Sequence, residues 1–366
     1  MHMRQFNTPI LIASAWFLLT HPASAQRPLV VLEGEAASVA VHLAGGSIVE
    51  FRLKSNPLNP LQWEEPGAPD AARPRGHFLC LDRWGAPSEA ERREGMPFHG
   101  EAARVTWKVG PPAVQSGTVA ARVTASLPLA GLEVNRSMRL SMNGACLAVQ
   151  EEVINRNKLG RPYNLVQHPT IGPPFLTEDT IVDSNAQQGL MQDTPGPDPE
   201  RSPVFWPYGR SGDDVVDLRR LSNDARPNVV SFTVEEEYGW VTAATPSRRL
   251  LIGYLWKTAE YPWLNIWRHV EQGRPFARGL EFGTTGLHQP FPVLLSKGRI
   301  FWRPLFAYLD TGESTKRSYL AFLAAIPGDW QGTAQVGISE AGLTILESRA
   351  TGRSLTVGLP AGQAPW

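Results

Sequence analysis

An all-β fold, a large antiparallel β-sandwich, is what the sequence predicts, and three observations predict it. Segment after segment carries apolar residues at alternate positions. Glycine and proline are frequent, 33 and 32 of 366 residues. Helical spacing of apolar residues is confined to one segment, 315–326. Alternation of period two marks strands buried on one face, as in antiparallel sheets, and glycine and proline supply the turns between many short strands. Strands alternating with helices, the mark of a βαβ fold, are missing from the pattern.

In chain order, the first 25 residues stand apart. Arg4 gives a positive start, residues 10–19 are an apolar stretch, and Ala23-Ser24-Ala25 has the form of a cleavage site. That combination predicts a secretory signal peptide, too short for a membrane span. The mature chain is expected to begin near Gln26, to form a single sandwich domain over 26–366, and to be exported, periplasmic or secreted. No second long apolar run follows.

Residues 118–127 set Val119, Ala121, Val123, Ala125 and Leu127 on one face, and 132–140 do the same with Leu132, Val134, Met138 and Leu140. Further strands are expected at 36–42, 47–53, 104–109, 145–154, 229–234, 239–244, 249–256, 264–269, 278–282, 299–309 and 333–338. The segment 315–326 is expected to be a helix, stopped by Pro327-Gly328. Segments 56–75 and 184–214, rich in Pro, Gly, Asn and Asp, read as long loops. The stretch 148–176 starts as a strand, turns at 157–160 and runs to His168. Pro169 and the Gly172-Pro173-Pro174 corner then place that histidine at a sheet rim on rigid backbone.

Lys+Arg and Asp+Glu are equal at 35 each, and no basic run occurs. Nucleic acid and anionic membrane are therefore poor partners. Cys80 and Cys146 are the two cysteines. An oxidising compartment permits their pairing, two buried thiols are the equal alternative, and without a CxxC they give no metal signal.

Polar groups stand beside glycine or proline corners at Asp82-Arg83-Trp84-Gly85, Phe98-His99-Gly100-Glu101, His168-Pro169, Asp217-Leu218-Arg219 and Gly279-Leu280-Glu281-Phe282-Gly283. Together, and in this order, they resemble the galactose mutarotase-like (aldose 1-epimerase) superfamily over about two-thirds of the mature chain. MPFHGEAARVTWKV is similar to that family's first-histidine motif, QEEVINRNKLGRPYNLVQHPTIG to its second-histidine segment, and GLEFGTTGLHQPF to the segment of its catalytic glutamate. LDTGES resembles its C-terminal Pro-Gly-Glu turn, with Thr311 in place of the proline.

The resemblance implies His168 as general acid and Glu281 as general base. It implies His99 as a binder of sugar hydroxyls and Arg83, beside Asp82 where the family has Asn, as a further substrate contact. Asp217 matches the sugar-binding aspartate, and Trp263 is one of several tryptophans near these loops, with Trp84, Trp206 and Trp267, that offer rings to sugar C–H faces. The implied partner is a small-molecule sugar or oligosaccharide, and no cofactor or metal is implied. His168 is followed by Pro-Thr-Ile-Gly, unlike the Phe-Asn run of the galactose enzymes, which marks a divergent branch. A non-catalytic carbohydrate-binding protein on the same scaffold is the second reading. A polysaccharide lyase or glycoside hydrolase is the third, with Asp82, Asp217 or Glu101 as the second carboxylate that hydrolysis needs.

Overall fold

The computed structural model describes residues 28–68, 71–110, 114–115, 117–192, 198–348 and 352–361. The signal peptide expected over 1–25 lies outside the described residues. Two large antiparallel sheets, of eleven and nine strands, hold most of the chain; one strand of each, Ala307–Leu309 in the first and Val114–Gln115 in the second, pairs beside the main path. The first runs in the order Leu29–Glu33, Ala37–His42, Ser47–Leu53, His77–Asp82, Arg161–Ile171, Arg274–Gly283, Trp263–Glu271, Val229–Thr233, Gln188–Met191 and Val204–Phe205. The second runs Ile181–Ser184, Tyr238–Thr245, Leu250–Lys257, Ser314–Ala325, Cys146–Asn155, Leu132–Ser141, Thr118–Leu127 and Lys108–Val109.

Alternate residues of both sheets meet in one core. Leu79, Leu81, Leu165, Leu264, Leu280 and Phe282 come from the first sheet, and Val123, Val134, Val149, Val241, Ile252 and Leu323 from the second. Burial of this kind stabilises by about 25 cal/mol per Å² of apolar surface removed from water. A polar chain crosses the core as well. The His77 Nε2–H donates to Gln167 Oε1 (3.1 Å), and Gln167 Nε2 donates to Glu151 Oε2 (2.5 Å). Glu151 pairs with the buried Arg136 at 2.7 Å.

A smaller sheet, Thr333–Ser339, Gly342–Glu347 and Ser354–Val357, covers the outer face of the second sheet. Its Val336, Leu343, Ile345 and Val357 pack on Cys146, Leu251, Leu255, Leu320 and Phe322.

That cover explains the main departure from the sequence reading. Segment 315–326 is not a helix but the strand Ser314–Ala325, in the middle of the second sheet. Tyr319, Ala321 and Leu323 face the main core, while Leu320, Phe322 and Ala324 face the C-terminal sheet. A strand buried on both sides is apolar at every position, so its period is erased and a helix-like spacing can be read into it. Segment 299–309 is broken into Arg299–Ile300, Arg303–Pro304 and Ala307–Leu309. In 104–109 only Lys108–Val109 is strand, after a 3-10 turn at Ala102–Arg104. Part of the loop expected at 184–214 forms the short strands Gln188–Met191, Val204–Phe205 and Tyr208–Ser211. The two cysteines are free and buried, Cys80 on the outer face of the first sheet and Cys146 under the C-terminal sheet.

Candidate functional site

His168 is not at a rim. Strand Arg161–Ile171 continues through Pro169 and is bordered by His77–Asp82 and Arg274–Gly283. Its odd-numbered residues Tyr163, Leu165 and Ile171 face the core, so Val166, His168 and Thr170 point outward. The register that sets Gln167 opposite Phe282 and Thr170 opposite Gly279 brings His168 level with Glu281. In the Glu281 strand Leu280 and Phe282 face the core, and Glu281 therefore shares the outer face with His168. Gly279 leaves room there, since a Cβ on it would stand 2.6 Å from Glu281 Oε1.

His168 Nε2 and Glu281 Oε1 are 3.0 Å apart, and both residues are buried, 4% and 1% exposed. Trp84 Nε1–H donates to Glu281 Oε2 at 2.6 Å. His168 Nδ1 is 3.0 Å from Thr170 Oγ1, and its ring stacks on Phe78 with centroids 4.1 Å apart. Burial disfavours charge on both partners. It pushes the Glu281 carboxyl well above its ordinary value, against the opposing Trp84 hydrogen bond, and it lowers His168 to about 3. Burial thus favours the uncharged pair, a carboxylic acid beside a neutral imidazole, the reverse of the protonation that a His168 acid and a Glu281 base require.

Around this pair stand rings with solvent access. His99 lies 5.4 Å from the His168 ring and packs against Phe98 at 4.1 Å. It is half-buried, and burial and the nearby His168 hold it well below the ordinary imidazole value. Its Nδ1 accepts the Gly85 N–H at 3.0 Å, which leaves the proton on Nε2. The residue sits at φ 65, a left-handed conformation unusual outside glycine, and Gly100 follows it at φ 78, where a Cβ would meet Leu81 O at 2.2 Å. Trp267, half-buried, reaches within 6.1 Å of His168 and meets Trp63 edge-on at 5.8 Å. His288 stands 5.6 Å from His99.

Of the residues singled out in the sequence, His99, His168 and Glu281 come together on one face of the first sheet. Four others are placed elsewhere. Asp82 and Arg83 bond to each other at 2.5 Å; Arg83 also holds Glu91 at 2.6 Å, and Asp82 holds Arg161. Asp82 lies four residues along its strand from Phe78, which is His168's cross-strand partner, or roughly 13 Å at strand rise. Both side chains are spent on this ion network. Asp217 ends an exposed hairpin strand, and its carboxylate accepts the Arg219 N–H. Trp263 is fully buried in a satellite core with Leu190, Leu287 and Leu294, its Nε1–H donated to Pro304 O. Trp267, two pleat repeats further along the same face, supplies the accessible ring instead. Sequence reading missed Phe78, Thr170 and His288; only the shared segment GLEFGTTGLHQPF pointed near the last. Among the described residues, no group of three or more His, Cys, Asp or Glu is placed to hold a metal ion.

A family model described as a domain of unknown function, DUF4432, matches residues 46–291. No curated protein matches the chain. Among solved structures, a galactose mutarotase related enzyme from Lactobacillus acidophilus superposes with a TM-score of 0.59 at 12% identity, covering 82% of this chain and 98% of that one. A galactose mutarotase-like protein from Clostridium acetobutylicum gives 0.60 at 13%, covering 81% and 99%. The Slr1438 protein from Synechocystis sp. PCC 6803 gives 0.60 at 14%, covering 85% and 100%. At these identities the likeness is one of fold: this chain has the galactose mutarotase-like sandwich.

Proposed function

The chain belongs to the DUF4432 family, and from the site it carries we propose that it is a mutarotase, interconverting the anomers of an aldose by acid–base ring opening. The observation that carries this reading is the buried His168–Glu281 pair, 3.0 Å apart, below an aromatic rim. Opening a cyclic hemiacetal takes the proton from O1, breaks C1–O5 and protonates O5. The two oxygens share C1, so two adjacent protein atoms serve both at once, with the sugar lying over the pair instead of between its members. From the resting state favoured by burial, Glu281 gives its proton to O5 while His168 Nε2 takes that of O1. The aldehyde turns about C1–C2, and closure on the other face returns both protons. Such paired proton transfer is worth typically ~10²–10⁴-fold per group. The half-buried rings of Trp267 and His99, with the exposed Phe98, suit the C–H faces and hydroxyls of a pyranose.

Hydrolysis fits less well, because Asp82 and Asp217 are engaged elsewhere and the buried Glu101 accepts the Ala130 N–H at 2.7 Å. Export remains part of the proposal: secreted material should begin near Gln26, and intact protein starting at Met1 in the cytoplasm would contradict it.

The test is polarimetry or exchange NMR on a freshly dissolved anomer. Glu281→Gln, His168→Asn and the double variant should each lose nearly the same activity, as groups acting as a unit do, while affinity by calorimetry changes much less. Wild-type protein that binds a sugar without speeding its anomerisation is a binding protein, and the proposal fails. Full activity in Glu281→Gln removes Glu281 from the mechanism.

A further inference from the structure

Resting on the sugar-site reading above, we propose that His288 is a further substrate-contacting side chain, which with His99 binds sugar hydroxyls across the mouth of the site.

His288 follows the Glu281 strand on a segment fixed from outside. Gln192 accepts the His288 backbone N–H at 3.0 Å through Oε1, and its Nε2 donates to Gly286 O (2.6 Å) and Ser231 Oγ (2.8 Å). The ring lies against the bare Cα of Gly85: a Cβ there would stand 2.8 Å from Cδ2 and 2.9 Å from Nε2. Gly85 also has φ 101, closed to most L side chains. Its N–H goes to His99, so one residue seats both imidazoles. The preceding Trp84 takes the His288 ring edge-on at 4.6 Å while its N–H holds Glu281.

Backbone and ring are thus fixed, yet among the described residues the recorded hydrogen bond of His288 is made by its backbone N–H, not its ring, and the side chain is half-buried, not sealed. Phe98, at 5.5 Å, and His99, at 5.6 Å, stand on the same rim. Burial lowers His288 to about 4, so near neutrality it offers one N–H and one lone pair. A vicinal diol needs that complement: one hydroxyl to donate to, one to accept from.

Two variants separate these roles. His288→Phe keeps a ring on Trp84 and Gly85 but has no nitrogen; His288→Gln keeps a donor and an acceptor but has no ring. Steady-state anomerisation by polarimetry is paired with calorimetric titration of the same aldose into each variant on a Glu281→Gln background. His288→Phe should raise KM and weaken sugar affinity about tenfold, the loss of one or two hydrogen bonds, with kcat within a few-fold of wild type. His288→Gln should recover most of that affinity. The inference is overturned by wild-type KM and affinity in His288→Phe, or by a deficit in His288→Gln that His288→Phe does not share, which marks a packing role. Wild-type protein that neither turns over nor binds any aldose overturns the mutarotase reading itself, and this inference with it.

Discussion

Trp84→Phe isolates one hydrogen bond at the centre of the site. The indole N–H is the one donor to Glu281 Oε2 recorded among the described residues, at 2.6 Å inside a buried cluster of Phe78, Cys80, Ala103 and Val166. In the resting acid it donates to a neutral carbonyl oxygen. As Glu281 releases its proton the same bond becomes charge-assisted and roughly doubles in strength. Its removal therefore costs more in the transition state than at rest. A donor lost to a buried acceptor is worth about 1–3 kcal/mol, and each 1.36 kcal/mol is tenfold in rate. The expected loss in kcat is thus about 10- to 100-fold, with a small change in KM.

The pH profile adds a sign. Activity needs the pair to hold one proton. It is lost in acid as His168 gains a second, near its lowered value of about 3, and in alkali as Glu281 loses its own, well above the usual carboxylate range. The Trp84 bond opposes burial and lowers Glu281, so Trp84→Phe should move the alkaline limb further up and leave the acid limb in place. Stopped polarimetry across pH reads both limbs, with a thermal melt as control for folding. A downward-moving alkaline limb, or unchanged kcat in folded protein, would refute the assignment.

Stability should fall in mild acid. The buried Glu281 keeps a proton on folding and opposes the trend, but burial holds four histidines, His77, His99, His168 and His288, below the ordinary imidazole value, and together they outweigh it. The unfolded chain takes up these protons near pH 6.5 and the folded chain does not, so their contribution is complete above that pH and is lost as pH falls towards the folded values. Each removes up to ~1.4 kcal/mol per pH unit in that window; equal melting temperatures at pH 7.5 and 5.5 would contradict neutral burial. Gly279→Ala should leave the fold in place and push the Glu281 carboxylate away from His168, because its Cβ would meet Oε1 at 2.6 Å and Trp267 Cβ at 3.0 Å. Misplacement by about an ångström costs on the order of 10²-fold in kcat; near-normal turnover would show that the carboxylate has slack.

Strands with one wet face were legible, because alternation records that asymmetry. Thr118–Leu127 and Leu132–Ser141 agree with the sequence reading to within a residue. Ser314–Ala325 was not, since a second layer on its outer side erased the alternation. Within the site, His168, His99 and Glu281 could be read from their corners and from the family pattern. Asp82-Arg83-Trp84-Gly85 marked the correct corner, but its two charged residues drew attention. Arg83 and Asp82 neutralise each other and their neighbours, and the pair that organises the site is Trp84-Gly85. Charge is conspicuous in a sequence, whereas an indole N–H and a missing Cβ acquire meaning only when Glu281, His99 and His288 arrive from distant strands. Trp263 and Trp267 share one face of one strand, and only the segment folded over the former tells them apart.

The position of Ser314–Ala325 also bears on how the chain is made. It is the last long strand among the described residues, yet it pairs on one side with Leu250–Lys257 and on the other with Cys146–Asn155. Until it has left the ribosome those two strands face a gap, each with an unpaired edge. Domains generally fold as units as the chain emerges, amino end first, and this one places its closing piece near the end. Closure of the second sheet is therefore held back until residue 325 has emerged. A chain that stalls near residue 300 presents two open sheet edges to its neighbours.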